Sequence, residues 1–131
     1  MSASEAEILL EKHLEEVAQG FNVRAEWQFA PPRKWRFDFC CPPLRIACEL
    51  EGAIWTQGRH TRGAGYQGDL DKYNAAAALG WTVFRFSTKD VLKGRDLECL
   101  RMWLAERQQR AGEKVAEDGT FEGIVVLDGI A

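Results

Sequence analysis

The stretch CELEGAIWTQGRH, residues 48–60, decides how the chain is read. It begins as a buried strand does, with Ile46, Cys48 and Leu50 at alternate positions on one face. Glu49 and Glu51 then fall together on the other face. Like charges on neighbouring sites of a strand repel, so the pattern asks for something positive nearby. Gly52 closes the strand, and a loop carrying Gln57, Arg59 and His60 follows at once.

The elements on either side can be placed from this strand outward. Before it, residues 35–41 read as a strand stopped by Pro42 and Pro43, and residues 44–51 return as its hairpin partner. Residues 23–29 alternate Val23, Ala25, Trp27 and Phe29 with polar neighbours and form an earlier strand, ended by Pro31 and Pro32. Leu10, Leu14 and Val17 mark one face of a helix over residues 6–19, with Ser4 as its cap and Gly20 as its stop. After the central strand, residues 52–68 hold five glycines and no sustained period, which predicts a loop. Residues 69–79 are an alanine-rich helix, and residues 81–86 a strand that lies parallel to residues 44–51 through a crossover. Ser87 with Asp90 opens a last helical region, carrying Leu97, Leu100 and Leu104, to about residue 109. Residues 121–127 suggest an edge strand.

The expected class is therefore α/β: a helix, three antiparallel strands, a helix, a parallel strand and a C-terminal helix. Residues 1–110 make one domain and residues 111–131 a tail. At 131 residues, 46% hydrophobic and 28% charged, the chain has the composition of a single globular domain. A net charge of −3 does not exclude nucleic acid, because Arg33, Lys34, Arg36, Arg45, Arg59 and Arg62 gather in the middle while the acids crowd the ends. The four cysteines, Cys40, Cys41, Cys48 and Cys99, lack zinc-knuckle spacing and read as reduced core residues. A zinc site from Cys40, Cys48 and His60 is the weaker alternative. The N-terminus lacks the blocks of a signal peptide, and no apolar run is long enough to span a bilayer, so a cytoplasmic location is expected.

Asp38 interrupts a comfortable strand. Alternation puts Phe37 and Phe39 on one face and Arg36, Asp38 and Cys40 on the other. In the hairpin, the Asp38 face can coincide with that of Glu49 and Glu51, which brings three carboxylates into one area. Such a group suits a hard divalent cation such as magnesium or manganese. The alternative is that Arg36, Arg45 or Lys72 simply pairs with these acids. Glu7, three residues before Leu10 and seven before Leu14, falls on the inward face of the first helix and adds a fourth acid, or else serves the helix dipole.

The segment RFDF (36–39), followed after a hairpin by CELEG (48–52), resembles the paired-acid core of the PD-(D/E)XK nuclease superfamily, whose core is restriction-endonuclease-like. WRFDF (35–39), GRHTRGAGYQGDLDKYNAAAALGW (58–81) and VFRFS (83–87) resemble small phage and prophage endonucleases of that superfamily, with some likeness to its very short patch repair and Holliday junction resolvase branches. The resemblance covers about residues 5–104. It implies Asp38, Glu49 and the Leu50 carbonyl as ligands of Mg2+ or Mn2+, with Glu7 as a further ligand. Where many members carry a lysine, this chain has Glu51, which the resemblance makes a base or water holder, with Lys72 supplying the displaced positive charge. His60, Arg59 and Arg62 suit substrate phosphates, His60 standing also among the catalytic candidates. Gln57, Arg36 and Tyr66 complete the DNA contacts, Tyr66 by stacking on a base or by anchoring the loop. His60 has the bland reading of a surface residue, and Asp69 with Lys72 that of a local helix pair.

The implied activity is a metal-dependent DNA endonuclease, acting on branched, flapped or otherwise processed DNA in phage replication or recombination, in the host cytoplasm if phage-encoded. Symmetric cutting of a four-way junction would require two sites and hence a homodimer. Two other readings stand beside it: an inactive nuclease fold that only binds DNA, and a protein interaction domain using Trp27, Trp35, Trp55, Trp81 and Trp103.

Overall fold

A computed structural model describes residues 4–52, 63–111, 113–115 and 121–124. The first helix, α1 (Glu5–Ala18), starts where the Ser4 hydroxyl accepts from the Glu7 amide and ends with Gln19 in the left-handed conformation. Three strands follow: β1 (Arg24–Gln28), β2 (Arg36–Cys41) and β3 (Ile46–Glu51). A 3-10 turn, Pro42–Leu44, joins the last two, so β3 begins two residues later than the sequence suggests. Helix α2 (Gly63–Ala78) leads to β4 (Thr82–Ser87), and α3 (Thr88–Leu92) and α4 (Arg95–Ala111) follow.

The sheet runs β1-β2-β3-β4, antiparallel across the first two pairings and parallel between β3 and β4. Central position explains the composition of β3: Ile46, Ala47 and Cys48 are each fully buried, since both faces are covered. On one face Leu10, Leu14 and Val17 of α1 pack with Ile46, Cys48, Val91 and Leu100. On the other, Phe29, Phe37, Cys40, Ala47 and Trp81 pack with Ala76 of α2. Phe29 and Phe37 stack at 4.1 Å. The cysteines are free, as expected, but Cys40 and Cys48 belong to opposite faces, which separates the proposed zinc ligands.

Four expectations are corrected. The stretch taken as a loop to residue 68 becomes helical at Gly63, because α2 continues through Gly65 and Gly68, and Tyr66 lies on that helix. The last helical region is two helices, broken where Gly94 takes φ 75. The edge strand of the tail is instead β6 (Phe121–Ile124), which pairs with β5 (Glu113–Val115) in a separate two-stranded sheet. Finally, Phe37 and Phe39 do not share a face: Phe37 packs on the α2 side and Phe39 on the α1 side. The alternation breaks between them, at Asp38.

Two polar contacts join α1 to α4. Glu16 and Arg101 pair at 2.6 Å with side chains 53% and 62% exposed, where solvent screens most of the gain. His13 Nδ1 lies 2.6 Å from Oδ2 of Asp96, which is fully buried, and Asp96 Oδ1 has no hydrogen-bond partner among the described residues. Removing the imidazole strips a buried carboxyl of its partner. His13→Ala should therefore cost about 1–3 kcal/mol in urea denaturation, and Arg101→Ala less than about 1 kcal/mol. Equal losses would contradict this division of labour.

Candidate active site

Asp38 lies in the middle of β2, and its Oδ2 accepts the Leu50 amide of β3 at 2.8 Å. Opposite it, between the pairs Ala25↔Phe39 and Trp27↔Phe37, Glu26 has φ 51. The strand opposite Asp38 thus departs from plain ladder geometry at Glu26. The Asp38 side chain lines a cavity of about 440 Å³ with Glu7, Glu26, Phe39, Leu50 and Gly52. Burial raises its carboxyl pKa; the Leu50 amide partly offsets this, while the charges of Glu49 and Glu26 push it further up and Lys72 pulls it down.

Glu49 points the other way, toward α2. It is 6% exposed, and its Oε2 lies 2.5 Å from Lys72 Nζ while its Oε1 accepts from the Tyr73 hydroxyl. Glu51 Oε1 accepts from Arg85 Nε of β4 at 2.5 Å, a pairing prepared by the parallel register of Glu49 with Arg85 and Glu51 with Ser87. The Arg85 guanidinium also sits 4.7 Å from the Tyr73 ring centroid. The three acids expected in one area therefore form two groups: Asp38 with Glu7 and Glu26, and Glu49 with Glu51. They still sense each other, since Glu49 contributes to the shift of Asp38.

The other candidates separate cleanly. Lys72 reaches Glu49, though it sits mid-helix rather than at the opening of α2. Glu7 is exposed instead of packed inward, its carboxylate accepting from the Ser4 hydroxyl at 3.2 Å, because the first turn of a helix draws an acid to its cap. Leu50 meets Asp38 through its amide. Arg36 is exposed at the start of β2, opposite Gln28. Tyr66 is 45% exposed and borders a second cavity, of about 630 Å³, with Tyr73, Trp81 and Arg85. Gln57, Arg59, His60 and Arg62 lie outside the described residues. Among the described residues no three His, Cys, Asp or Glu side chains stand in a metal-holding arrangement.

Sequence reading missed Glu26, Tyr73 and Arg85. A signal for Arg85 was present: it is a charge inside the aromatic run VFRFS, as Asp38 is inside RFDF. Tyr73 carried no such mark.

The structure resembles the catalytic domain of the homing endonuclease I-Bth0305I, with a TM-score of 0.54 over 79% of this chain and 97% of that one, at 13% identity. The two share a fold. No protein-family model matches the chain, and no curated protein does. Among the described residues no helix is long and apolar enough to cross a membrane.

A carboxyl whose pKa is higher in the fold than in the unfolded chain holds its proton more tightly when folded. Its contribution to stability is complete below the ordinary value of 3.8 and is lost as pH rises through the folded value. Asp38→Asn cannot ionise and keeps an oxygen for the Leu50 amide. In EDTA it should melt above the parent at neutral pH, and the gap should close as pH falls toward 3.8. A melting temperature below the parent's at neutral pH would show that ionised Asp38 stabilises the fold.

Proposed function

We propose that this protein is a metal-dependent endonuclease of the PD-(D/E)XK kind, hydrolysing phosphodiester bonds of DNA with Mg2+ or Mn2+. What supports the reading most is one juxtaposition. Asp38 and Glu49 occupy the two adjacent central strands, Lys72 reaches Glu49 from α2, and the fold is one shared with an endonuclease catalytic domain.

The donor chemistry suits a hard divalent cation. Asp38, Glu7 and Glu26 line one cavity, and burial first, with the charges of Glu49 and Glu26 after it, raises the Asp38 pKa. Asp38 and Glu49 would hold the ion, with Glu7 and the Leu50 carbonyl as further ligands. When bound, it supplies Lewis acidity and a more acidic water for in-line attack. Lys72 offsets phosphate charge in place of the lysine that Glu51 displaces. Glu51 holds or deprotonates the water, oriented by Arg85. Arg59, Arg62, His60, Gln57, Arg36 and Tyr66 carry the DNA. Branched DNA processed in phage replication or recombination, cut by a homodimer, fits the resemblance of these motifs.

A second reading, a nuclease fold that binds DNA without cutting it, is favoured by the engagement of both Glu49 oxygens.

Asp38→Asn and Glu49→Gln keep side-chain size but remove charge, so each should abolish magnesium-dependent cleavage of a panel of linear, flapped and junction DNAs. Gel shifts in EDTA should show both binding DNA at least as tightly as the parent, since affinity comes from basic contacts to phosphate. Arg59→Ala and Arg62→Ala should loosen binding and lower its salt slope by about one unit per lost contact. Parental cutting rates in either acid variant would remove those residues from catalysis, and a parent that cuts no DNA would favour the binding-only reading.

A further inference from the structure

The turn between β1 and β2 carries cations and no acid. From Glu26 to Asp38 the intervening chain reads WQFAPPRKWRF, and Arg33, Lys34 and Arg36 are all exposed. Elsewhere Lys72, Arg85, Arg95, Arg101 and Arg110 each lie 3.3 Å or less from a carboxylate oxygen. Among the described residues, Arg33, Lys34 and Arg36 enter no ion pair. The turn is also braced. The Arg33 amide donates to the Ala30 carbonyl at 2.9 Å, and the Gln28 side-chain amide donates to the Arg33 carbonyl at 2.7 Å. The Arg33 guanidinium lies 4.3 Å from the Trp35 ring centroid, Trp35 stacks on Phe29 at 6.1 Å, and Phe29 stacks on the fully buried Phe37 at 4.1 Å. An exposed cation thus ends an aromatic column rooted in the core. Stacking orients the guanidinium while leaving its N–H fork open to an oxyanion.

Because β2 runs antiparallel to β3, this turn lies at the end of the sheet where β3 finishes, the end at which Leu50 and Gly52 line the Asp38 cavity. Arg36 precedes Asp38 by two residues, about 7 Å along a strand, and Arg33 precedes it by five, at most about 18 Å. Arg24, opposite Cys40, stands toward the other end of the sheet. A polyanion over a cavity lined by Glu7, Glu26 and Asp38 is repelled there, so the groups that hold it must stand beside the cavity. Duplex DNA carries one charge per about 1.7 Å of its axis, so a duplex crossing the cavity brings several phosphates within reach of the turn. We propose that the β1–β2 turn is a phosphate clamp, in which Arg33 and Lys34 hold the DNA backbone beside the Asp38 cavity and Trp35 positions the Arg33 guanidinium. The clamp rests on the DNA reading above and adds contacts that fix the register of the duplex without reading its sequence.

The clamp is tested by fluorescence anisotropy of a labelled DNA duplex, in EDTA and over a salt series, with the parent and three variants. The double variant Arg33→Gln, Lys34→Gln should lower the salt slope by about two units and weaken binding roughly tenfold or more at low salt. Arg24→Gln removes a charge distant from the cavity and should keep the parental slope. Arg33→Lys keeps the charge, and so the slope, but gives up the stacked fork and should bind several-fold more weakly. A parental slope in the double variant, or an equal loss in Arg24→Gln, overturns the clamp and leaves the DNA reading standing. Parental affinity in Arg33→Lys overturns the part given to Trp35. A parent that binds no duplex overturns both the clamp and the DNA reading. A second measurement needs no variant: saturating duplex should protect Lys34 of the parent from acetylation, read by mass spectrometry. Equal modification of Lys34 with and without bound DNA overturns the clamp.

Discussion

Burying Glu49 in the central strand is the constraint on which the rest of the site depends. A carboxylate at 6% exposure is costly unless it is paired and hydrogen-bonded, and the side chains of α2 over this face of the sheet hold it away from water. The partners must come from above the sheet. Lys72 and Tyr73 provide them, which sets how α2 lies across β3 and β4. Lys72 in turn sits 5.9 Å from the Phe37 ring centroid, so the ion pair is continuous with the aromatic cluster of Phe29, Phe37 and Trp81. Electrostatics and packing hold the same helix in the same place.

On the opposite side the molecule does the reverse. Asp38 has one amide, Leu50, and three acidic neighbours, Glu7, Glu26 and Glu49, while among the described residues the charge of Lys72 lowers its pKa. Leaving a carboxylate undercompensated costs stability, and a fold that tolerates this cost at one point has a reason for it outside its own packing. The departures of β1 and β2 from plain alternation converge there: Glu26 at positive φ, and the change of face between Phe37 and Phe39. Backbone irregularity and electrostatic cost coincide at Asp38, while the neighbouring Glu49 is fully partnered. The two central acids are thus in different states, one held and one exposed to a cavity.

The separate stabilising pair, His13 with Asp96, lies away from these acids and joins α1 to α4. Its position lets the α1 side of the sheet be locked independently of the α2 side. Rigid support behind β3 matters for a site whose two acids stand on adjacent strands, since any slip of register would move every side chain to the wrong face.

Periodicity made the elements and their order readable. The spacing of Leu10, Leu14 and Val17, the Pro42-Pro43 stop, the cap at Ser87 and the alternation through Cys48 are local features, imposed by backbone geometry and visible in any window of the chain. The same local signals marked Asp38, Glu49 and Glu51 as acids out of place. Local signals failed where glycines sat inside a helix, at Gly65 and Gly68, because packing and propagation overrode propensity. The strand pairings and the parallel crossover were legible too, but most side-chain relations between elements were not. That Glu49 would be closed off by Tyr73, that Glu51 would take Arg85, that Glu26 would face Asp38, and that Asp38 and Glu49 would turn to opposite sides of one sheet all depend on register, twist and the seat of a helix. Those are set by long-range burial, which has no period along the chain and so leaves no trace in the order of its residues.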